Sequence, residues 1–179
     1  MKRYLAMVAF FGATTVSWGA GYFGVSAGYL TDGEEPIYFG RVGFQVIKTG
    51  TIAHFIEGEL GYSTHSERFD TTRAQSDFTF YMANYRLHTP ITPFADLEAG
   101  GGIGIGNVDL RLTDTGFNFS DDDGALALQA FALLNFNVGP ALDLTVGGRY
   151  ISLGNATIFG IEAEIEDDFV AEVGMTFRF

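Results

Sequence analysis

Residues 168–179 read D-F-V-A-E-V-G-M-T-F-R-F. One parity carries Phe169, Ala171, Val173, Met175, Phe177 and Phe179, and the other carries Asp168, Val170, Glu172, Gly174, Thr176 and Arg178. Successive side chains of a strand point to opposite faces, so this alternation predicts a strand with one apolar and one mostly polar face. The pattern recurs along the chain. Past the amino terminus, no stretch carries the capped, 3.6-residue period of a long helix. A chain patterned this way folds as sheet, and what remains is how the strands close and which face meets solvent.

Eight strands are predicted, over residues 21–30, 37–47, 51–62, 77–87, 93–106, 125–138, 141–153 and 168–179. Turn residues separate them: Lys48-Thr49-Gly50, Pro90 and Gly139-Pro140 mark short connections. Long connections follow the first, third, fifth and seventh strands. An even number of antiparallel strands, with short turns on one rim and long loops on the other, is the pattern of a transmembrane barrel. The predicted fold class is therefore all-β, an eight-stranded antiparallel up-and-down transmembrane β-barrel.

Volume decides the facing. An eight-stranded barrel has an interior that side chains just fill. The apolar parity carries Tyr29, Tyr38, Phe44, Tyr62, Tyr81, Tyr85, Phe136, Tyr150, Phe169 and Phe177, too much bulk for such a lumen. The other parity is rich in glycine (Gly43, Gly61, Gly100, Gly102, Gly104, Gly147, Gly174) and in charge. The aromatics are thus placed outward, in girdles near the strand ends. A soluble ligand-binding barrel is the competing reading; it keeps its polar face outward and needs no rim asymmetry. The lumen is predicted to pair Arg41, Arg86, Arg149 and Arg178 with Glu57, Glu59, Asp96, Glu98, Asp143 and Glu172, because buried charges need partners.

Residues 1–19 read as a cleaved signal peptide: Lys2 and Arg3, an apolar run too short to span a bilayer, then Ser17-Trp18-Gly19 before the cut. Residues 20–179 form the barrel domain. Losing Lys2 and Arg3 takes the formal charge from −12 to −14. That acidity argues against a nucleic-acid partner, and the absence of cysteine excludes disulfides and thiolate metal sites.

The chain resembles the small eight-stranded outer-membrane barrels of the OmpA/OmpX and opacity-protein type. The residues that carry the likeness are Gly21-Tyr22-Phe23-Gly24-Val25, Glu59-Leu60-Gly61-Tyr62, Ala83-Asn84-Tyr85, Thr92-Pro93-Phe94, Gly148-Arg149-Tyr150 and the terminal Gly174-Met175-Thr176-Phe177-Arg178-Phe179. Their order and spacing span nearly all of the chain after the signal. The resemblance implies that the last strand, with Phe177 and Phe179, is the signal read by the barrel-assembly machinery. It also implies residence in a Gram-negative outer membrane, among its lipids and lipopolysaccharide.

Three constellations invite chemistry. His65-Ser66-Glu67 has the residue types of a lipid A-modifying hydrolase, but sequence neighbours seldom align as a triad, and His54 lies at the opposite rim. Asp121-Asp122-Asp123-Gly124 lacks the spaced oxygens of a calcium loop and reads as a solvated run. The run 100–106 lies inside a strand with no helix after it, so it is not a dinucleotide fingerprint. In the last connection Phe159, Ile161, Ala163 and Ile165 alternate with Glu162, Glu164 and Glu166, which predicts that the last strand extends into a protruding hairpin. The expectation is a structural or surface-interaction protein of the adhesin or receptor kind, with no catalytic residue, cofactor or metal, and an external protein at the acidic loops. A lipid A-modifying enzyme or a narrow channel is the alternative.

Overall fold

The computed structural model describes residues 20–31, 35–69, 72–114, 117–154, 156–158, 161–163 and 167–179. Ten strands follow in order: β1 (Gly21–Leu30), β2 (Pro36–Thr49), β3 (Ile52–Phe69), β4 (Thr72–Thr92), β5 (Ala95–Asp114), β6 (Phe117–Asn137), β7 (Leu142–Leu153), β8 (Ala156–Ile158), β9 (Ile161–Ala163) and β10 (Asp168–Arg178). Eight of them close into a barrel in the order β1-β10-β7-β6-β5-β4-β3-β2, with every pair antiparallel. Strands β8 and β9 pair only with each other. Closure joins the last strand to the first, with Phe23 opposite Phe177 and Leu30 opposite Val170. Closure is what removes the unpaired edges that a sheet would otherwise expose.

The outer wall is apolar. The ten aromatics assigned outward, from Tyr29 to Phe177, are all 38–56% exposed. Between them lie Val25, Ile56, Ile103, Leu128, Val146 and Val173, also exposed. A wall of this kind suits hydrocarbon and not water. Among the described residues no helix is long and apolar enough to cross a membrane.

The barrel's height is not uniform. Thr49 sits opposite Ile52, so the β2–β3 turn has two residues, with Gly50 at a φ of 62° in the position that a II′ hairpin turn assigns to glycine. At the other rim, β3 and β4 stay paired out to Phe69 and Thr72, and β5 and β6 out to Asp114 and Phe117. The stretches 63–76 and 107–124, expected to be loops, are mostly strand. Their ladders continue because cross-strand hydrogen bonds do not require an apolar face. A four-stranded sheet therefore stands above the barrel, while β1 and β2 stop at Leu30 and Pro36.

The last connection differs from its expectation as well. Its described part is the short β8–β9 hairpin, separate from the barrel sheet, and β10 begins only at Asp168. Phe159, Glu164, Ile165 and Glu166 lie outside the described residues, as do residues 1–19.

Candidate functional site: a layered lumen and an acidic crown

The lumen is filled in layers, and glycine is what makes room. At the level of Tyr38 and Tyr62, the interior holds Ile37 and Phe39 from β2, Phe80 and Met82 from β4, Ala127 from β6, Ile151 from β7 and Val170 from β10. Leu30, Phe78 and Leu153 pack against this cluster. The intervening strands present glycine to it. A Cβ on Gly61 would lie 2.1 Å from Phe80 Cζ, on Gly104 2.6 Å from Met82 Sδ, and on Gly28 2.4 Å from Val170 Cγ1. Large side chains thus fill the space that small ones vacate, and the apolar layer closes around the whole circumference.

Sequence reasoning missed this layer. Phe39, Phe80, Met82, Ile151 and Val170 share parity with Arg41, Arg86, Arg149 and Glu172. That shared parity was the available signal, masked by reading the face as polar.

Below the layer lies the charged lumen. Arg41 Nη1 donates to Glu172 Oε1 at 2.8 Å, and Arg149 Nε to Glu172 Oε2 at 2.6 Å. Arg149 Nη1 donates to Glu59 Oε1 at 2.6 Å and to Gln129 Oε1 at 2.8 Å. Gln129 Nε2 bridges Glu59 and Asn84, and Asn84 Nδ2 donates to Glu57 Oε1 at 2.7 Å. Arg86 Nη2 meets Glu57 at 2.8 Å while its Nη1 donates to Glu98. The Tyr22 hydroxyl closes on Glu57 from β1. Arg41, Arg86, Arg149, Glu57 and Glu172 are each 1% exposed, so each charge depends on its partner for the solvation it has lost. Aromatic faces add to this: the guanidinium of Arg86 lies 4.5 Å from the Phe131 centroid.

The remaining predicted residues sit at the short-turn rim. Arg178 Nη2 donates to Asp143 Oδ1 at 2.8 Å and to Asn137 Oδ1 at 3.0 Å. His88 stands between Asp96 (3.4 Å) and Glu98 (3.2 Å). These groups line a cavity of about 400 Å³ together with Tyr22, Phe55 and Lys48. Register brings the set together: Arg41 faces Glu59 across β2–β3, and Arg86 flanks both Glu57 on β3 and Glu98 on β5.

Among the described residues, the other candidates make separate contacts. His65 Nδ1 pairs with Glu35 Oε1 at 2.6 Å, and Ser66, the next strand residue, points to the opposite face. His54 bonds the Tyr85 hydroxyl at 2.5 Å on the outer wall near the short-turn rim. Asp123 accepts from the Gly124 amide at 2.8 Å, and the acidic run lies in β6 opposite 108–110. Among the described residues no group of three or more His, Cys, Asp or Glu side chains is placed to hold a metal ion.

In the sequence, the acidity is concentrated in the long connections: residues 31–35, 64–77, 108–123 and 154–168 hold 16 of the 22 acidic residues and, of the basic ones, only Arg68, Arg73 and Arg111. One carboxylate here is well anchored. Burial pushes the Asp77 carboxyl up, but hydrogen bonds from Thr64 (2.7 Å) and Gln75 (3.1 Å), with the charge of Arg111 and a contact from Tyr62, bring it below the usual range.

No protein-family model matches the sequence, and no curated protein matches it. Solved structures do. Ail, the attachment invasion locus protein of Yersinia pestis, is 16% identical with a TM-score of 0.53, over 90% of this chain and 99% of that one. The same protein is known in complex with the heparin analogue sucrose octasulfate. Neisserial surface protein A is 10% identical with a TM-score of 0.57, over 89% and 95% of the two chains. A de novo designed transmembrane β-barrel is 14% identical with a TM-score of 0.55, over 92% and 98%. A designed barrel among these neighbours makes the point that the architecture by itself carries no function.

Proposed function

We propose that this chain, which has the fold of the small eight-stranded outer-membrane β-barrels, resides in a bacterial outer membrane and presents its projecting sheet to an external protein. One observation carries the reading: a four-stranded sheet continues past the aromatic girdle, where a barrel needed only to span the membrane would stop. The long-hairpin rim is then extracellular and the short-turn rim periplasmic. Residues 1–19 are a signal peptide removed on export, and the terminal strand with Phe177 and Phe179 addresses the chain to the barrel-assembly machinery. Outer-membrane lipids and lipopolysaccharide surround the apolar wall. The lumen network of Arg41, Glu57, Glu59, Arg86, Asp96, Glu98, Asp143, Arg149, Glu172 and Arg178 fixes the barrel from within. No catalytic role is assigned; His65 pairs with Glu35.

The outer surface selects its partner by charge. With 16 acidic and three basic residues in the extracellular segments, it repels polyanions and attracts basic protein surfaces. Binding of a heparin-like ligand is therefore not carried over from Ail. Docking by strand addition at the sheet is the mode that the exposed ladder offers. The test is attachment of expressing cells to immobilised basic and acidic extracellular proteins. Replacing 64–77 and 108–123 by short turns should abolish attachment to the basic set while the heat-dependent gel shift of a folded barrel persists. Attachment that survives the replacement would count against the reading.

A further inference from the structure

We propose that the ion barrier of this barrel is the apolar layer under the extracellular rim, and that the charged lumen beneath it is a hydrated cul-de-sac entered from the periplasm. The inference rests on the orientation given above and goes beyond it, to what separates the two sides of the membrane.

Three observations carry it. The first is that the apolar layer offers an ion nothing. The side chains of Ile37, Phe39, Phe80, Met82, Ile151 and Val170 have no oxygen or charged group to replace a hydration shell, and glycines on the neighbouring strands leave them the space in which they pack together. The second is that the charged layer is not self-sufficient. Ser26 Oγ, Arg41 Nε and Nη2, Arg86 Nε, Arg149 Nη2 and Glu59 Oε2 are buried with no protein partner. Buried donors and acceptors of this kind are met by ordered water in folded proteins. They are spread from Ser26, next to the apolar layer, to Arg86, next to the vestibule. The third is that water has a way in from one side. The cavity of about 400 Å³ at the short-turn rim is lined by Asp96, Glu98, Asp143, Arg178 and Lys48, and its inner end abuts the Tyr22–Glu57 and Arg86–Glu98 contacts. A charged network can exchange partners with water and admit a small ion, whereas a dry apolar layer excludes it by dewetting.

Planar-bilayer recording of the refolded mature chain tests this. The wild type and the Arg41→Gln/Glu172→Gln variant should both stay closed. Phe39→Ala/Phe80→Ala should pass discrete currents at least ~10-fold above the wild-type background, because the dewetted constriction is gone. Those currents should favour cations, since six acidic residues face four arginines in the lumen set. An opening of the Gln variant with a silent Ala variant overturns the proposal. A second measurement does not depend on enlarging the lumen. The chain has no cysteine, so the nearly isosteric Ser26→Cys provides a single thiol. In oriented vesicles, Ag⁺ should consume that thiol from the periplasmic side only. Reaction from the extracellular side, or from neither, sinks the idea. Intact attachment by the projecting sheet would leave the preceding reading standing whichever way these results fall.

Discussion

The guanidinium carbon of Arg149 lies 3.8 Å from the centroid of the Phe39 ring, and the two side chains belong to different layers of the lumen. Phe39 is part of the apolar layer; Arg149 is the hub that binds Glu59, Glu172 and Gln129. The contact lets the charge network support the apolar layer from below, with a ring face toward the cation and carboxylates on its other sides.

Truncating that hub is expected to be costly. Arg149→Met leaves Glu59 and Glu172 short of a counter-charge among side chains that are almost fully buried. The expected loss is about 3–5 kcal/mol of unfolding free energy, the usual cost of orphaning a buried charge. Urea titration of the refolded barrel in lipid vesicles measures it. Arg149→Met combined with Glu59→Gln should recover part of the loss, because fewer unpaired charges remain.

Gly61 and Gly58 provide a matched pair. A Cβ at Gly61 would collide with the Phe80 ring, whereas one at Gly58 meets nothing within 4 Å on the outer wall. Gly61→Ala should lower the folded fraction in a gel-shift assay, with a destabilisation of about 1–3 kcal/mol from overpacking. Gly58→Ala should be close to neutral. Phe80→Leu should partly rescue Gly61→Ala by shortening the side chain that claims the space.

The Asp77 carboxylate gives the β3–β4 hairpin a pH dependence of known sign. Its pKa in the fold lies below the 3.8 expected of a free side chain, so its contribution is complete above that value and disappears as pH falls through the lowered one. The group is only partly buried, so solvent screening keeps its contribution under about 1 kcal/mol. Amide exchange of residues 64–77 in detergent should accelerate on acidification below pH 3.8 in the wild type. In Asp77→Asn that step should be missing.

Phe179 is expected to matter for delivery more than for stability. Its ring is 68% exposed and packs edge-on against Phe44 at 6.4 Å, so deleting it removes little buried surface. The truncated chain should refold in vitro with a normal gel shift. In cells it should accumulate less in the outer membrane. Equal amounts in the membrane would remove the assembly role.

Amino-terminal sequencing of the exported protein should begin at Ala20. Its carbonyl accepts from the Gln45 amide at 2.9 Å, so the residue after the expected cut is already held at the barrel rim.

Alternation made the membrane-spanning part legible. Tyr150, Phe169 and Phe177 stand outward, and Arg41, Arg86 and Arg149 inward, because hydrocarbon on one side and a narrow lumen on the other impose opposite demands on adjacent residues. Above the girdle that demand lapses. From Thr64 to Asp77 both faces of the hairpin can carry polar residues, so no period of two betrays the strands. The apolar layer was hidden for the converse reason: Phe39 and Phe80 keep the period but break the rule that the inner face is polar. Who pairs with whom in the lumen depends on register across strands, which no single stretch of sequence encodes. Glu172 binding both Arg41 and Arg149 is the clearest case.

The partnership of Gly61 with Phe80 reaches past stability. One position is empty so that the other can be full, and neither choice makes sense alone. Relatives of this chain that lack the glycine should also lack the bulky ring, or carry it on the adjoining strand. Variation at such paired sites should travel together through a lineage even where nothing else in the two strands is kept.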